Sequence, residues 1–198
     1  SQLNESFAVF SNETPLVILI ATLGNIGTDA ALAYIKPFLT WEEGDVQFAS
    51  LKALSTWQND APLPDLETYL KTGEKLKNRQ MAQVGVVNLV QNSGKLTNDQ
   101  KAEKLQTSFL GAQSLLEKII VLNGISRIYS LKAMDFVMNQ LNNSDLSSTA
   151  QEAFIRIADN LKYSYEDIVI QKIDSLTEIE TDERFKTKLK LLKRSIEL

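Results

Sequence analysis

Five times along this chain an apolar run ends in the same short pattern: Thr22-Leu23-Gly24-Asn25-Ile26, Ala53-Leu54-Ser55-Thr56-Trp57, Gly85-Val86-Val87-Asn88-Leu89, Gly124-Ile125-Ser126-Arg127-Ile128 and Ala153-Phe154-Ile155-Arg156-Ile157. The first position is small or short, the second and fifth are large and apolar, and the fourth is polar. The second-position residues Leu23, Leu54, Val86, Ile125 and Phe154 are 31, 32, 39 and 29 residues apart. Such spacings are those of stacked helical hairpins. Two apolar columns three residues apart lie on one helical face, so they predict a shared core. The small column Thr22, Ala53, Gly85, Gly124 and Ala153 predicts close helix crossings, where a larger side chain would hold the axes apart. Glycine inside a helix costs about 0.5–1 kcal/mol relative to alanine, so Gly85 and Gly124 imply packing that compensates.

Start and stop signals sit where this repeat requires them. Thr14-Pro15 offers a capping hydroxyl followed by proline in the first turn. Thr97-x-x-Gln100, Ser114-x-x-Glu117 and Ser148-x-x-Gln151 have capping-box spacing, and Gly27, Gly73 and Gly94 mark stops. Helices are predicted over 14–26, 29–40, 45–58, 64–73, 76–92, 98–111, 114–129, 131–142, 147–161, 165–178 and 182–197, and no stretch reads as a strand. The expected fold class is all-α: one α-α superhelix over residues 1–198, a solenoid of about five helical hairpins closed by a capping C-terminal helix. In that last helix Lys186, Lys188, Lys190, Lys193 and Arg194 leave Phe185, Leu189, Leu192 and Ile196 as a narrow apolar stripe. This fits a solvated cap or a patch for an anionic partner. The 39-residue spacing implies irregular stacking at that point.

Composition removes more chemistry than it suggests. The 198 residues are 43% hydrophobic, enough for one continuous core, and contain neither histidine nor cysteine. Ser-His-Asp and Cys-His nucleophiles, thiolate chemistry and zinc sites built on nitrogen or sulfur are thereby excluded. No phosphate-binding loop or calcium-loop spacing occurs, and no cofactor is expected. A net charge of −4 opposes binding to nucleic acid. The longest apolar stretch, Leu16 to Leu23, is far short of the roughly 20 residues of a membrane span. Ser1-Gln2-Leu3-Asn4-Glu5 has neither the basic residues nor the apolar run of a signal peptide, and a chain beginning without methionine is expected to be a processed form or a piece of something longer.

The candidate site is the polar column: Asn25, Thr56, Asn88, Arg127 and Arg156. Two residues beyond the central apolar position is about 200° around a helix, so these side chains are expected to form a row on the surface of the second helices. Amides and arginines in a row suit an acidic peptide or a sugar, and they equally suit a face that merely has to meet water. Asn25, Asn88, Arg127 and Arg156 are therefore the candidate binding residues, joined by Trp41, which a loop presents for sugar stacking, for a domain contact or as a cap over a hairpin end. Trp57, in an apolar column, is expected in the core. The neighbouring carboxylates Glu42/Glu43 and Asp182/Glu183 fit helix N-terminal charge better than acid–base catalysis.

The small residue followed by hydrophobes in the second helix of each pair resembles HEAT repeats. Residues 48–66, with Ala53-Leu54-Ser55-Thr56-Trp57 leading into Pro62-Leu63-Pro64-Asp65-Leu66, are similar to a HEAT-like region of large Bacteroidetes and Planctomycetes proteins. That region is often joined to a sugar-active jelly roll of the 3-keto-disaccharide hydrolase type. The resemblance implies a non-catalytic protein-interaction or spacer module within a larger periplasmic or secreted bacterial protein linked to carbohydrate handling. Its partner would be a protein or peptide, with carbohydrate met through an attached domain. It carries over no catalytic residue. The alternatives are a freestanding adaptor and a HEAT-like-fold enzyme such as an alkylpurine DNA glycosylase, which would need a basic concave face.

Overall fold

The predicted helices form close to their expected limits in the computed structural model, which describes residues 13–42, 44–180 and 182–197. They are α1 (Glu13–Ile26), α2 (Asp29–Ile35), which runs on into a 3-10 turn (Lys36–Thr40), α3 (Gly44–Ser55), α4 (Leu63–Thr72), α5 (Leu76–Asn92), α6 (Asn98–Leu110), α7 (Leu115–Ile125), α8 (Leu131–Met138), α9 (Ser147–Leu161), α10 (Glu166–Ile179) and α11 (Glu183–Ile196). Among the described residues the regular structure is all helical. The helices fall into two units, the first ending at Gly94 and the second beginning at Lys95. The irregular spacing from Val86 to Ile125 spans that division.

Local signals set most of the boundaries. Thr97 and Gln100 form the full capping box of α6, and the Ser114 hydroxyl accepts from Glu117 N at 3.3 Å to start α7. Asp182 Oδ1 accepts from the Arg184 and Phe185 amides at 2.8 and 3.3 Å, and those bonds hold its carboxyl below the ordinary value. Gly27 ends α1 with φ +68°, a conformation that glycine alone adopts without strain. The Ser148 box does not form: α9 already begins at Ser147, behind Leu146. Ser130, which caps α8 by accepting from Ala133 N at 3.1 Å, carries that role without a box to announce it. Glu43 lies outside the described residues.

In unit 1, α3 is the middle helix: α1 packs on one side of it, α5 on the other, and α4 covers α5. Its small residues Ala53 and Ser55, about 200° apart on the helix, face these two neighbours. A Cβ on Gly24 would stand 2.8 Å from Ala53 Cβ, and one on Gly85 would stand 2.5 Å from Leu66 Cδ1 and 3.0 Å from Ser55 Cα. The backbones approach that closely because glycine leaves the space open. Gly85 thus does what the small column predicts, whereas in α1 the crossing residue is Gly24 and not Thr22. Thr22 is exposed, with its hydroxyl donating to Ile18 O at 2.8 Å, and Ile26 is 56% exposed. The inward ridge of α1 is buried Leu16 and Ile20 with half-buried Gly24, at four-residue steps, and that phase turns Ile26 to the outside.

Unit 2 has two interleaved rows. Helix α7 packs on α9 and α9 on α11, while α6 packs on α8 and α8 also on α9. The apolar columns hold here: Ile125, Ile128, Phe154 and Ile157 are buried. Aromatic pairs fill the space between helices, Phe109 edge-on to Phe136 at 5.1 Å and Phe154 edge-on to Phe185 at 6.4 Å. The stripe Phe185, Leu189, Leu192 and Ile196 seats α11 on this core as its pattern predicts.

The five pentads are not equivalent. In α5 and α9 they lie inside the helix, but α1, α3 and α7 end at Ile26, Ser55 and Ile125, so there the pentads straddle or reach the helix C-terminus. Trp57 and Ile128 accordingly reach the core from the turns that follow α3 and α7.

Candidate functional site

Trp41 leaves the 3-10 turn with its amide donating to Phe38 O at 3.2 Å and its ring set edge-to-face on buried Phe38 at 5.5 Å. It remains 37% exposed and forms one wall of a groove of about 640 Å³ in unit 1, with Leu39, Asp65, Tyr69 and Lys75 among the other lining residues. Lys36 pairs with Asp65 at 3.0 Å on this surface, and Lys75 Nζ donates to Glu42 O at 2.9 Å.

Beneath the groove runs a buried polar network. Gln47 Oε1 accepts from the Tyr69 hydroxyl at 3.2 Å and from Asn78 Nδ2 at 2.5 Å, and Gln47 Nε2 donates to Leu39 O at 2.8 Å. Arg79, 2% exposed, donates from Nη1 to Leu70 O and, at 3.3 Å, to Gly73 O. These bonds satisfy carbonyls at the end of α4 and in the 3-10 turn. Burial pushes the Tyr69 hydroxyl above its ordinary pKa, opposed by the Asn78 bond and the Arg79 charge. Gly73 makes room for the ring, since a Cβ there would meet Tyr69 Cε1 at 2.5 Å.

Unit 2 carries a larger groove of about 860 Å³ along α6 and α8. Its lining includes the carboxamides of Asn98, Gln106 and Asn139 and the rings of Tyr129 and Tyr165, which are 41% and 44% exposed. Asn98 Nδ2 donates to Tyr129 O at 3.0 Å, and Gln106 Nε2 reaches Lys132 O at 3.5 Å, the outer limit of such a bond. Each carboxamide keeps its oxygen and a second hydrogen for other partners. Two ion pairs bridge helices at this rim, Lys132 with Glu103 and Lys172 with Asp135, while the exposed Asp99 carboxylate in the lining makes no ion pair among the described residues. A third groove, about 620 Å³, runs between α9 and α11 and contains Arg156.

The candidate row occupies unlike places. Asn25 is exposed near the end of α1, and Asn88 is half-buried with Nδ2 donating to Ser55 O at 3.3 Å across the α3–α5 contact. Asn88 therefore satisfies a carbonyl at the C-terminus of α3, a packing role that its polarity disguises. Arg127 is exposed in the turn after α7, its amide donating to Gly124 O at 3.1 Å, whereas Arg156 lies within α9 and lines the third groove. Helical phase cannot align a turn residue with a mid-helix one, which is why the pentads do not deliver a uniform row. Trp57 is in the core, as its column requires.

Gln47, Asn78 and Arg79 carry no signal in the sequence, because near helix ends they read as solvated polar residues. Asn98, Gln106, Tyr129 and Tyr165 are scattered over three segments that only tertiary packing brings together. Among the described residues no helix is long and apolar enough to cross a membrane, and no group of three acidic side chains stands where it could hold a metal ion. Comparison with protein-family models, with curated proteins and with solved structures finds no match to this chain.

Proposed function

We propose that this chain is a non-catalytic interaction module that holds an extended segment of a partner protein in the α6–α8 groove of unit 2. The observation that carries the reading is the convergence of three carboxamides and two exposed tyrosines on one groove whose rim lysines are already paired with carboxylates. A carboxamide offers both a donor and an acceptor, the complement of a peptide backbone that presents both. Tyrosine adds broad contact area at small loss of side-chain freedom. With the lysines pre-paired, Asp99 is, among the described residues, the one unpaired charge in the lining, and selection rests on shape and hydrogen bonding more than on charge. The likeness of residues 48–66 to a HEAT-like region adds to this proposal a larger secreted or envelope bacterial parent that handles carbohydrate.

The test is selection of peptides from a random displayed library on the whole chain, followed by titration of the selected peptides. Replacing Asn139→Ala together with Tyr165→Ala is expected to weaken them by about tenfold or more, roughly 1.4 kcal/mol. Equal affinity for the altered and unaltered chains would reject the α6–α8 groove as the site. Signal from a glycan array in place of peptides would replace the peptide with a sugar.

A further inference from the structure

Helices α9 and α11 meet through Phe154 and Phe185, and outside that contact the third groove has an apolar floor of Ile155, Leu191 and Leu192, with Leu191 58% exposed. Its charges are unevenly matched. Asp159 is taken by Lys162 at 2.9 Å and Lys193 by Asp174 at 2.6 Å, but Arg156 and Lys188, which line the groove, make no ion pair among the described residues. Glu152, one turn before Arg156 on α9, is the remaining carboxylate in the lining. Among the described residues the apolar slot is thus edged by two unpaired cations, Arg156 and Lys188, against the single unpaired carboxylate of Glu152.

We propose that the α9–α11 groove is a second docking site, for an acidic amphipathic helix of a partner protein that inserts leucine-like side chains between Ile155 and Leu191 and sets carboxylates on Arg156 and Lys188. Apolar side chains at helical three- and four-residue spacing fill a slot between two helices, and arginine suits a carboxylate through paired N–H groups. Charge complementarity selects this occupant. A nucleic acid would gain from the cations but nothing from the apolar floor. A membrane surface is a poorer fit, because the apolar stripe of α11 is turned into the core and leaves Leu191 alone exposed on that side.

The experiment uses the full chain and a labelled 16-residue peptide with leucines at helical spacing and glutamates at the remaining positions, followed by fluorescence anisotropy. Against it run poly-glutamate of equal charge, a single-stranded oligonucleotide, and three chain variants: Arg156→Glu/Lys188→Glu, Leu191→Asp, and Asn98→Ala/Asn139→Ala. The expected result is saturable binding that falls about tenfold with either α9–α11 variant and is unmoved by the α6–α8 variant, with poly-glutamate and oligonucleotide weaker. The altered positions are exposed, and an unchanged circular dichroism melt establishes that each variant is folded. Absence of binding, equal binding by the charge-reversed chain, or equal binding of the oligonucleotide each overturns the proposal. Loss of binding on Asn98→Ala/Asn139→Ala instead would move the site to the α6–α8 groove.

Discussion

The two units solve the same packing problem with different materials. Unit 1 brings backbones together at Gly24·Ala53 and Gly85·Ser55 and places Gln47, Tyr69, Asn78 and Arg79 in a buried hydrogen-bonded network. Unit 2 fills its contacts with aromatic pairs and draws helices together at the surface through Lys132–Glu103, Lys172–Asp135 and Lys193–Asp174. The first solution is intolerant of added volume and of a lost partner. The second is intolerant of lost volume and nearly indifferent to its surface charges. The grooves differ too: the unit 1 groove is built on the Gln47–Tyr69–Asn78 network, whereas the side chains of the α6–α8 groove are held by bonds to Tyr129 and Lys132 carbonyls and by surface ion pairs.

The largest test of this contrast is Phe154→Ala, which removes a fully buried ring and is expected to cost about 3–5 kcal/mol, read from far-ultraviolet circular dichroism on heating. A loss under 1 kcal/mol would show that unit 2 does not depend on aromatic filling. Next comes Gly85→Leu, expected to cost about 3 kcal/mol, because the new side chain meets Ser55 backbone as well as Leu66. Trp41 and Trp57 are the two tryptophans of the chain and both belong to unit 1, so tryptophan emission isolates its unfolding. An unmoved emission midpoint would remove the close crossing from the comparison.

Arg79→Met is expected to destabilise unit 1 by about 2–3 kcal/mol, since Leu70 and Gly73 carbonyls lose a buried donor while the replacement keeps most of the volume. A neutral result would mean that water replaces the guanidinium. Tyr69→Phe should cost about 1 kcal/mol and remove one late-ionising phenol from a spectrophotometric titration. With its pKa raised in the folded state, Tyr69 leaves stability intact below the unfolded value near 10.0, and stability falls as the pH rises through the folded value. If the phenol lost on substitution is one that ionises at the ordinary value near 10.0 and not a late one, the buried placement is contradicted. The smallest effect is reserved for Lys193→Met in unit 2: the Asp174 hydrogen bond raises the Lys193 pKa, yet the pair is solvent-screened, and the melting midpoint is expected to stay within measurement error. A clear drop would make the surface pairs structural.

The existence, order and approximate ends of the helices were legible in the sequence, because caps, glycines and three- and four-residue apolar spacing are local properties. So were the burial of Trp57 and the inward stripe of α11. The equivalence of the five pentads was not: the residues are alike, but whether a pentad sits inside a helix or at its end depends on where neighbouring elements stop it. Thr22 and Gly24 show the consequence, since which of them meets Ala53 is set by the phase of Leu16 and Ile20 against α3. Asn88 and Arg127 show it again, one half-buried in a helix contact and the other in a turn. The grooves were decided by tertiary structure alone. Asn98, Tyr129 and Tyr165, like Arg156 and Lys188, are far apart in sequence, and polar side chains that gather across helices leave no periodic trace along the chain. Burial of apolar surface follows a helical period and so can be read in advance, whereas the juxtaposition of exposed polar groups depends on helix crossings fixed by side-chain shape.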